Sequence, residues 1–393
     1  MTLLLIIIYV AFIGLGVPDS LIGSAWPAIH AELELPVEAV SCITLLISGC
    51  TVLSGIFSAG LLNRFGTAKI TAVSTAMTAA ALVAFSFAPS FIWMFPCAIV
   101  LGLGAGAIDA GLNNFVALHF KASHMNFLHC FYGVGVSLSP YLMSVALGNT
   151  GWRDGYRYAF LLQGVIAMLL IFSLPLWKKA TAAGEAAEEV TPVNLPLSKM
   201  FKMPTVRTVW IIMLATNMLE YACGTWGSTY LVKAKGFLPE HGALGLTVYY
   251  AGMALGRFFS GLLAGKIKTW NRIWLGSGIL ALSAVVLILP TPGVVSAAAL
   301  FFFGLGNGSI YPNLIHLTPY NFGKEYSQSV MGSQIAFAYV GVMLSSPLVG
   351  ALTRAFGIDV YPLLLTALLV CMVLALWHFT SLLKKENKYD KAI

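Results

Sequence analysis

The chain has 393 residues, 59% of them hydrophobic and only 9% charged, with a formal net charge of +7. A soluble domain carries about 25% charged and 45–50% apolar residues, so the composition excludes an ordinary soluble enzyme and points to a polytopic membrane protein. The positive excess is a matter of loops, as shown below, and does not mark a nucleic-acid binder.

Twelve apolar stretches follow one another at 3–28, 40–62, 70–88, 91–118, 125–148, 156–177, 207–231, 243–265, 272–290, 294–317, 328–350 and 359–382. A span needs roughly 20 residues, so the sequence predicts an all-α polytopic membrane protein of 12 transmembrane helices. The first stretch has no basic leader, and its apolar run passes Asp19 and reaches Ile29 without an A-x-A cleavage site. It reads as a span and not as a signal peptide. Lys and Arg counted against alternating loops put sixteen on one side, among them Arg64, Lys69 and Arg272, and five on the other, leaving Arg257 inside a span. The positive-inside rule then places both termini in the cytoplasm.

Residues 178–206 are the long polar stretch before the tail, starting Lys-Lys-Ala-Thr-Ala-Ala-Gly-Glu. They divide the chain into a first six-helix half (1–177), a cytoplasmic linker (178–206), a second six-helix half (207–383) and a cytoplasmic tail (384–393). The halves repeat. Asp19 and Glu220 stand 201 residues apart, each followed by glycine at i+4 and then by Trp26 or Trp226. Gly60-Leu-Leu answers Gly261-Leu-Leu, and Gly102-Leu-Gly-Ala-Gly106 answers Gly304-Leu-Gly-Asn-Gly308. Gly135-Val-Ser-Leu-Ser-Pro140 answers Gly341-Val-Met-Leu-Ser-Ser-Pro347. Four matches in one order at nearly one offset indicate a parallel duplication with a polar site where its halves meet. Its small-xxx-small pairs let helices approach closely, and Pro140, Pro312 and Pro347 are expected to kink or break their helices.

Three acids lie inside spans: Asp19, Asp109 and Glu220, on spans 1, 4 and 7. An acid at the centre of a span costs roughly 2.5–3.5 kcal/mol, so it faces water or a partner. Burial disfavours the charged form of a carboxylate, which suits such a group to take up and release a proton. The alternative is a permanently paired acid. Arg257 could pair with Glu220 or Asp109 and open on protonation, snorkel, or clamp helix ends at a gate. Asp109/Asn113, Asn217/Tyr221 and Asn307/Tyr311 are i, i+4 pairs on one helix face each, suited to binding sugar hydroxyls. Trp26 and Trp226 are stacking platforms or interfacial residues, while Trp93, Trp152, Trp177, Trp210, Trp270, Trp274 and Trp377 read as interfacial belt. Asn126, His129, Gln163 and Gln334 are polar within spans, read as helix–helix ties with ligand contact as the alternative. His119, His124, His316 and His378 lie near cytoplasmic span ends and invite no chemistry. The six cysteines form no C-x-x-C pair and read as packing residues, with no metal site.

Gly60-Leu-Leu-Asn63-Arg64-Phe-Gly66-Thr-Ala-Lys69 resembles the loop signature between spans 2 and 3 of the major facilitator superfamily, with Asn63 where that signature has an acid. Asp109-Ala-Gly-Leu-Asn113-Asn114, and Asn126-Phe-Leu-His129-Cys-Phe-Tyr-Gly133 through Pro140, resemble the fucose/glucose/galactose symporter branch and its sodium–glucose relatives. The resemblance implies spans 1, 4, 7 and 10 around a central cavity and rocker-switch alternating access. Asp19 and Asp109 match the branch's coupling carboxylates, and Arg64 and Asn63 join Arg257 as gating residues. The function expected is symport of a monosaccharide coupled to H+ or Na+, with no other cofactor. The alternative is an exporter of amphipathic compounds or lipids in the same fold. An enzyme is not expected, because neither H-E-x-x-H nor G-x-S-x-G occurs. The expected setting is a monomer among the lipids of a bacterial inner membrane.

Overall fold

The computed structural model describes residues 2–119, 122–181, 195–264 and 266–389, and every regular element among them is helical. Contacts divide the chain into two compact units, Met1–Ala187 with Gly224–Tyr250, and Glu188–Cys223 with Ala251–Ile393. The first six spans are α1 (Thr2–Asp19) with α2 (Leu21–Glu32), α3 (Val40–Phe65), α4 (Thr67–Ser86), α5 (Phe91–His119), α6 (Ala122–Asn149) and α7 (Trp152–Thr181). After the short α8 (Leu197–Met200) come α9 (Pro204–Lys233), α10 (Pro239–Leu262), α11 (Thr269–Ile288), α12 (Gly293–Gly308), α13 (Ile310–His316), α14 (Thr318–Phe322), α15 (Lys324–Phe356) and α16 (Tyr361–Lys385). Among the described residues ten helical stretches are long and apolar enough to cross a membrane. At 30 and 24 residues, α9 and α10 also have the length and stand at spans 7 and 8.

Two spans are interrupted, and in span 10 proline explains where. Span 10 stops at Gly308 and resumes at Ile310, because Pro312 has no N–H for the Gly308 carbonyl and its ring crowds that carbonyl. Span 1 pauses at Ser20, whose φ of −103° and ψ of −4° leave the regular helical range, two residues after Pro18. At the repeat-equivalent positions the chain has Ala110 and Leu219, and α5 and α9 run on unbroken. At Pro140 and Pro347, where a kink or a break was expected, α6 and α15 run through without a break.

Inside each unit the same backbone contacts recur. A Cβ on Gly106 would meet the Thr51 carbonyl at 2.2 Å, and one on Gly308 the Met253 carbonyl at 2.3 Å. A Cβ on Gly135 would meet the Ile13 carbonyl at 2.1 Å, and one on Gly341 the Leu214 carbonyl at 2.4 Å. Gly104 lies against Ser74 and Thr78, and Gly306 against Gly276 and Leu280. Ser20 donates to the Val136 carbonyl at 2.8 Å, and Ser345 to the Met218 carbonyl at 2.8 Å. The duplication is thus one of packing, with spans 2, 4, 1 and 5 of the first half matched by 8, 10, 7 and 11.

Two sequence expectations are corrected. Trp152, Trp177, Trp210 and Trp270 are buried in protein and are not belt residues; Trp93 and Trp377 are exposed as a belt requires. Arg272 belongs to α11 and not to a loop. It is buried and donates to the Ser260 carbonyl at 2.6 Å and to Thr269 Oγ1 at 2.9 Å, placing positive charge near the C-terminal, negative end of the α10 dipole.

Gly106→Val and Gly308→Val are expected to lower the melting temperature in detergent, at a cost of about 1–3 kcal/mol or more. Gly55→Ala and Gly278→Ala, where a Cβ meets nothing within 4 Å, are expected to leave it unchanged. Differential scanning fluorimetry separates the two groups.

Candidate functional site

In the first unit Asp19 is the last residue of α1, half-buried beside the interruption at Ser20. The negative end of the α1 dipole points towards it, so a carboxylate there needs donors. The Tyr132 hydroxyl of α6 donates to Asp19 Oδ2 at 2.7 Å. The two helices are held at that level by Gly16, where a Cβ would lie 2.5 Å from the Tyr132 carbonyl, and by the Ser20–Ser139 hydroxyl contact at 2.7 Å. On α5, Asn113 Nδ2 donates to Asp109 Oδ1 at 2.7 Å and to the Asp109 carbonyl at 3.0 Å. The pair expected to grip a sugar is therefore closed on itself.

In the second unit Glu220 lies on α9 and Arg257 on α10. Arg257 Nη2 reaches Oε1 and Oε2 of Glu220 at 3.4 Å each, and both side chains are about nine-tenths buried (10% and 11% exposed). The pairing of Arg257 with Glu220 is thus formed. A turn away Thr216 Oγ1 donates to Asn307 Oδ1 at 3.0 Å. Asn217, half-buried, donates to the Met213 carbonyl at 2.8 Å, and Tyr221 is half-buried on the same helix. The pause at Ser309 falls between Asn307 and Tyr311, with Ser309 itself still right-handed at φ −83° and ψ −17°. The cause is Pro312.

The structure corrects both tryptophans near the acids. Trp26 and Trp226 are completely buried, and Trp26 Nε1 donates to the Val37 carbonyl at 2.7 Å. Neither presents a face for stacking, and neither sits in a lipid interface. Their glycines are backbone contacts, since a Cβ on Gly23 would lie 1.9 Å from the Gly224 carbonyl. Arg64 is exposed, its guanidinium 5.3 Å from the Phe65 ring centre. The side chains of Asn63 and Asn126 lie outside the described residues. Gln163 ties α7 to α4 by donating to Thr78 at 2.7 Å, and Gln334 accepts from Thr318 at 2.8 Å.

Sequence reasoning gave no role to Tyr132, Tyr9 or His124. The available signal was spacing: Tyr132 is three residues from His129, within one turn. His124 Nδ1 and the Tyr9 hydroxyl are 2.8 Å apart. Among the described residues no cluster of three or more His, Cys, Asp or Glu is arranged to hold a metal.

Removing one member of a buried ion pair strands the other, at a cost of about 3–5 kcal/mol. Glu220→Gln and Arg257→Gln are each expected to destabilise the protein by that order, and the double variant to recover most of the loss. A double-mutant cycle by thermal denaturation checks it; additive losses would mean that the pair carries no coupling.

The chain matches the model of the Major Facilitator Superfamily over residues 5–346. It is 25% identical over 321 residues to the 3-(3-hydroxy-phenyl)propionate transporter of Escherichia coli strain K12, covering 78% of this chain and 75% of that one. It is 21% identical to the cis,cis-muconate transport protein of Acinetobacter baylyi, over 95% of this chain and 92% of that one. A Helicobacter pylori protein named "Putative glucose/galactose transporter" is 23% identical over 65% of this chain and 64% of its own length. Among solved structures, the fold matches the nucleoside transporter NupG at a TM-score of 0.73 with 10% identity, over 95% of this chain and 98% of that one. It matches a bacterial homologue of the lysosomal transporter Spinster, in an inward-facing and occupied conformation, at 0.74 with 14% identity, over 100% and 98%. With twelve spans, a duplicated packing scheme and a family match over most of its length, the chain belongs to the Major Facilitator Superfamily and is an integral membrane transporter.

Proposed function

We propose that this transporter is a symporter driven by the proton gradient, working by alternating access, and that its substrate is a monosaccharide. The observation that carries the coupling is that each carboxylate within a span has a partner able to exchange it. Tyr132 serves Asp19 and Asn113 serves Asp109, while Arg257 serves Glu220. A proton arriving on a carboxylate turns an acceptor into a donor and forces its partner to find another acceptor. That rearrangement links protonation to a change of helix contacts. The sugar reading is supported by the resemblance of spans 4 and 5 to the fucose/glucose/galactose branch and by the glucose/galactose relative. In the Na+ variant the carboxylate and amide oxygens serve as hard ligands. Export of amphipathic compounds fits less well, because the groups around Asp19 and Glu220 are polar and mutually bonded. The proposed setting is a monomer in a bacterial inner membrane with both termini in the cytoplasm.

A second reading, an organic acid as substrate, is favoured by the Glu220–Arg257 pair. When Glu220 takes a proton, the guanidinium loses that counter-charge and its fork of N–H donors suits another carboxylate. Two relatives are named for organic acids, 3-(3-hydroxy-phenyl)propionate and cis,cis-muconate.

Charge movement on solid-supported membranes tests both readings. D-glucose, D-galactose, L-fucose, 3-phenylpropionate and cis,cis-muconate are applied to reconstituted protein with and without Na+. A sugar-evoked current that survives Na+ removal and falls at least tenfold in Asp19→Asn is the expected outcome. A current from the acids alone, abolished by Arg257→Gln, would replace the sugar with the acid. Silence with all five compounds would end both readings.

A further inference from the structure

On α6, three titratable side chains other than cysteine descend from Asp19 toward the end of the span where the chain begins. Tyr132 is bonded to Asp19 at 2.7 Å. One turn below, the His129 ring stands edge-on to Phe12 of α1, with ring centres 5.9 Å apart. About one and a half turns further, His124 Nδ1 meets the hydroxyl of Tyr9, a residue one turn below Phe12 on α1, at 2.8 Å. Tyr9 is itself held by a parallel stack on Phe131 at 4.8 Å. All seven residues are on α1 and α6, whose contact is set by Gly16 and Gly135. Asp19, Tyr132, His129, Tyr9 and His124 are each neither fully buried nor fully exposed.

We propose that Tyr132, His129, Tyr9 and His124 form the route by which the proton carried on Asp19 leaves toward the terminal end of α1, the cytoplasmic side in the proposed orientation. This rests on the proton-coupled reading above and adds the path to it. Tyr132 now donates to the Asp19 carboxylate. Once Asp19 is protonated, its own O–H donates and the Tyr132 oxygen accepts. The Tyr132 proton then turns toward His129, one turn away and about 5–6 Å at Cβ, a gap that one water bridges. As Tyr132 passes this proton on, it takes the one from Asp19, so the tyrosine ends neutral and the carboxylate ionised. Imidazole accepts on one ring nitrogen and releases from the other, which makes it a shuttle near neutral pH. The Tyr9–His124 contact is the same hydroxyl–acceptor device at the lower end of the row.

The test compares two modes of one assay in proteoliposomes. Tritiated D-glucose, D-galactose and L-fucose are each followed in equal-pH exchange, which needs no net proton release, and in accumulation driven by an imposed pH gradient, which does. His129→Gln, His124→Gln and Tyr9→Phe are expected to keep exchange within about twofold of the unaltered protein while gradient-driven accumulation falls at least fivefold. Accumulation within twofold of the unaltered protein in all three variants would overturn the route and leave proton coupling standing. Exchange and accumulation falling together would make these residues packing elements and also overturn it. An unaltered protein that exchanges a sugar but never accumulates it on a pH gradient would overturn the proton-coupled reading and the route with it; no exchange of any of the three sugars would do the same.

Discussion

A bilayer core offers no hydrogen-bond partners, and almost every feature of this transporter answers to that shortage. Backbone groups are met inside helices, so all regular structure among the described residues is helical. Where a helix is interrupted, protein must cover the gap. At Ser20 this cover is visible: the hydroxyl donates to the Val136 carbonyl and touches Ser139. Asp19 is placed at that same interruption, where α6 already supplies polar atoms and can add the Tyr132 hydroxyl. The most expensive group in the first half is thus set where the helix is already open.

Close backbone contact is the second consequence. Lipid tails are as apolar as leucine, so helices gain little by hiding leucine from lipid and associate through tight packing instead. Glycine permits that approach, and the recurrence of the same contacts in both units shows it to be the inherited part of the design. Proline is the part that diverged. Pro312 interrupts span 10 and span 1 pauses at Ser20 just after Pro18, while spans 7 and 4 run on through Leu219 and Ala110. Two duplicated bundles have in this way acquired different polar centres on the same frame.

How much of this was legible in the sequence follows from the range of the forces involved. The spans and the repeat could be read, because apolar length and glycine spacing are properties of one helix or of two segments at a fixed offset. The three acids could be singled out because their cost is paid wherever they point. The partner of each could not. Tyr132 lies 113 residues from Asp19, and pairing over that distance depends on which faces the glycines bring together. The pause between Asn307 and Tyr311 was not read from periodicity, because it depends on Pro312. Trp26 and Trp226 were misjudged because hydropathy cannot separate an interface from a protein interior; their burial is decided by neighbouring helices.

The two acids at one repeat offset now carry different electrostatics, and this constrains any coupling scheme built on them. Tyr132 is a neutral donor, so its bond leaves the charge of Asp19 in place; protonating Asp19 removes a charge from within the span. Glu220 and Arg257 cancel one another, so protonating Glu220 uncovers a cation about nine-tenths buried. The first event lowers the cost of burial and the second raises it. A neutral sugar cannot repay the second, so with a sugar as cargo Glu220 stays ionised and Arg257 stays engaged, and coupling falls to Asp19 and Asp109. An organic acid restores the balance by bringing its own carboxylate to Arg257. The chemistry of the substrate and the identity of the coupling acid are therefore one question, settled by which of Asp19 and Glu220 takes up a proton when substrate binds.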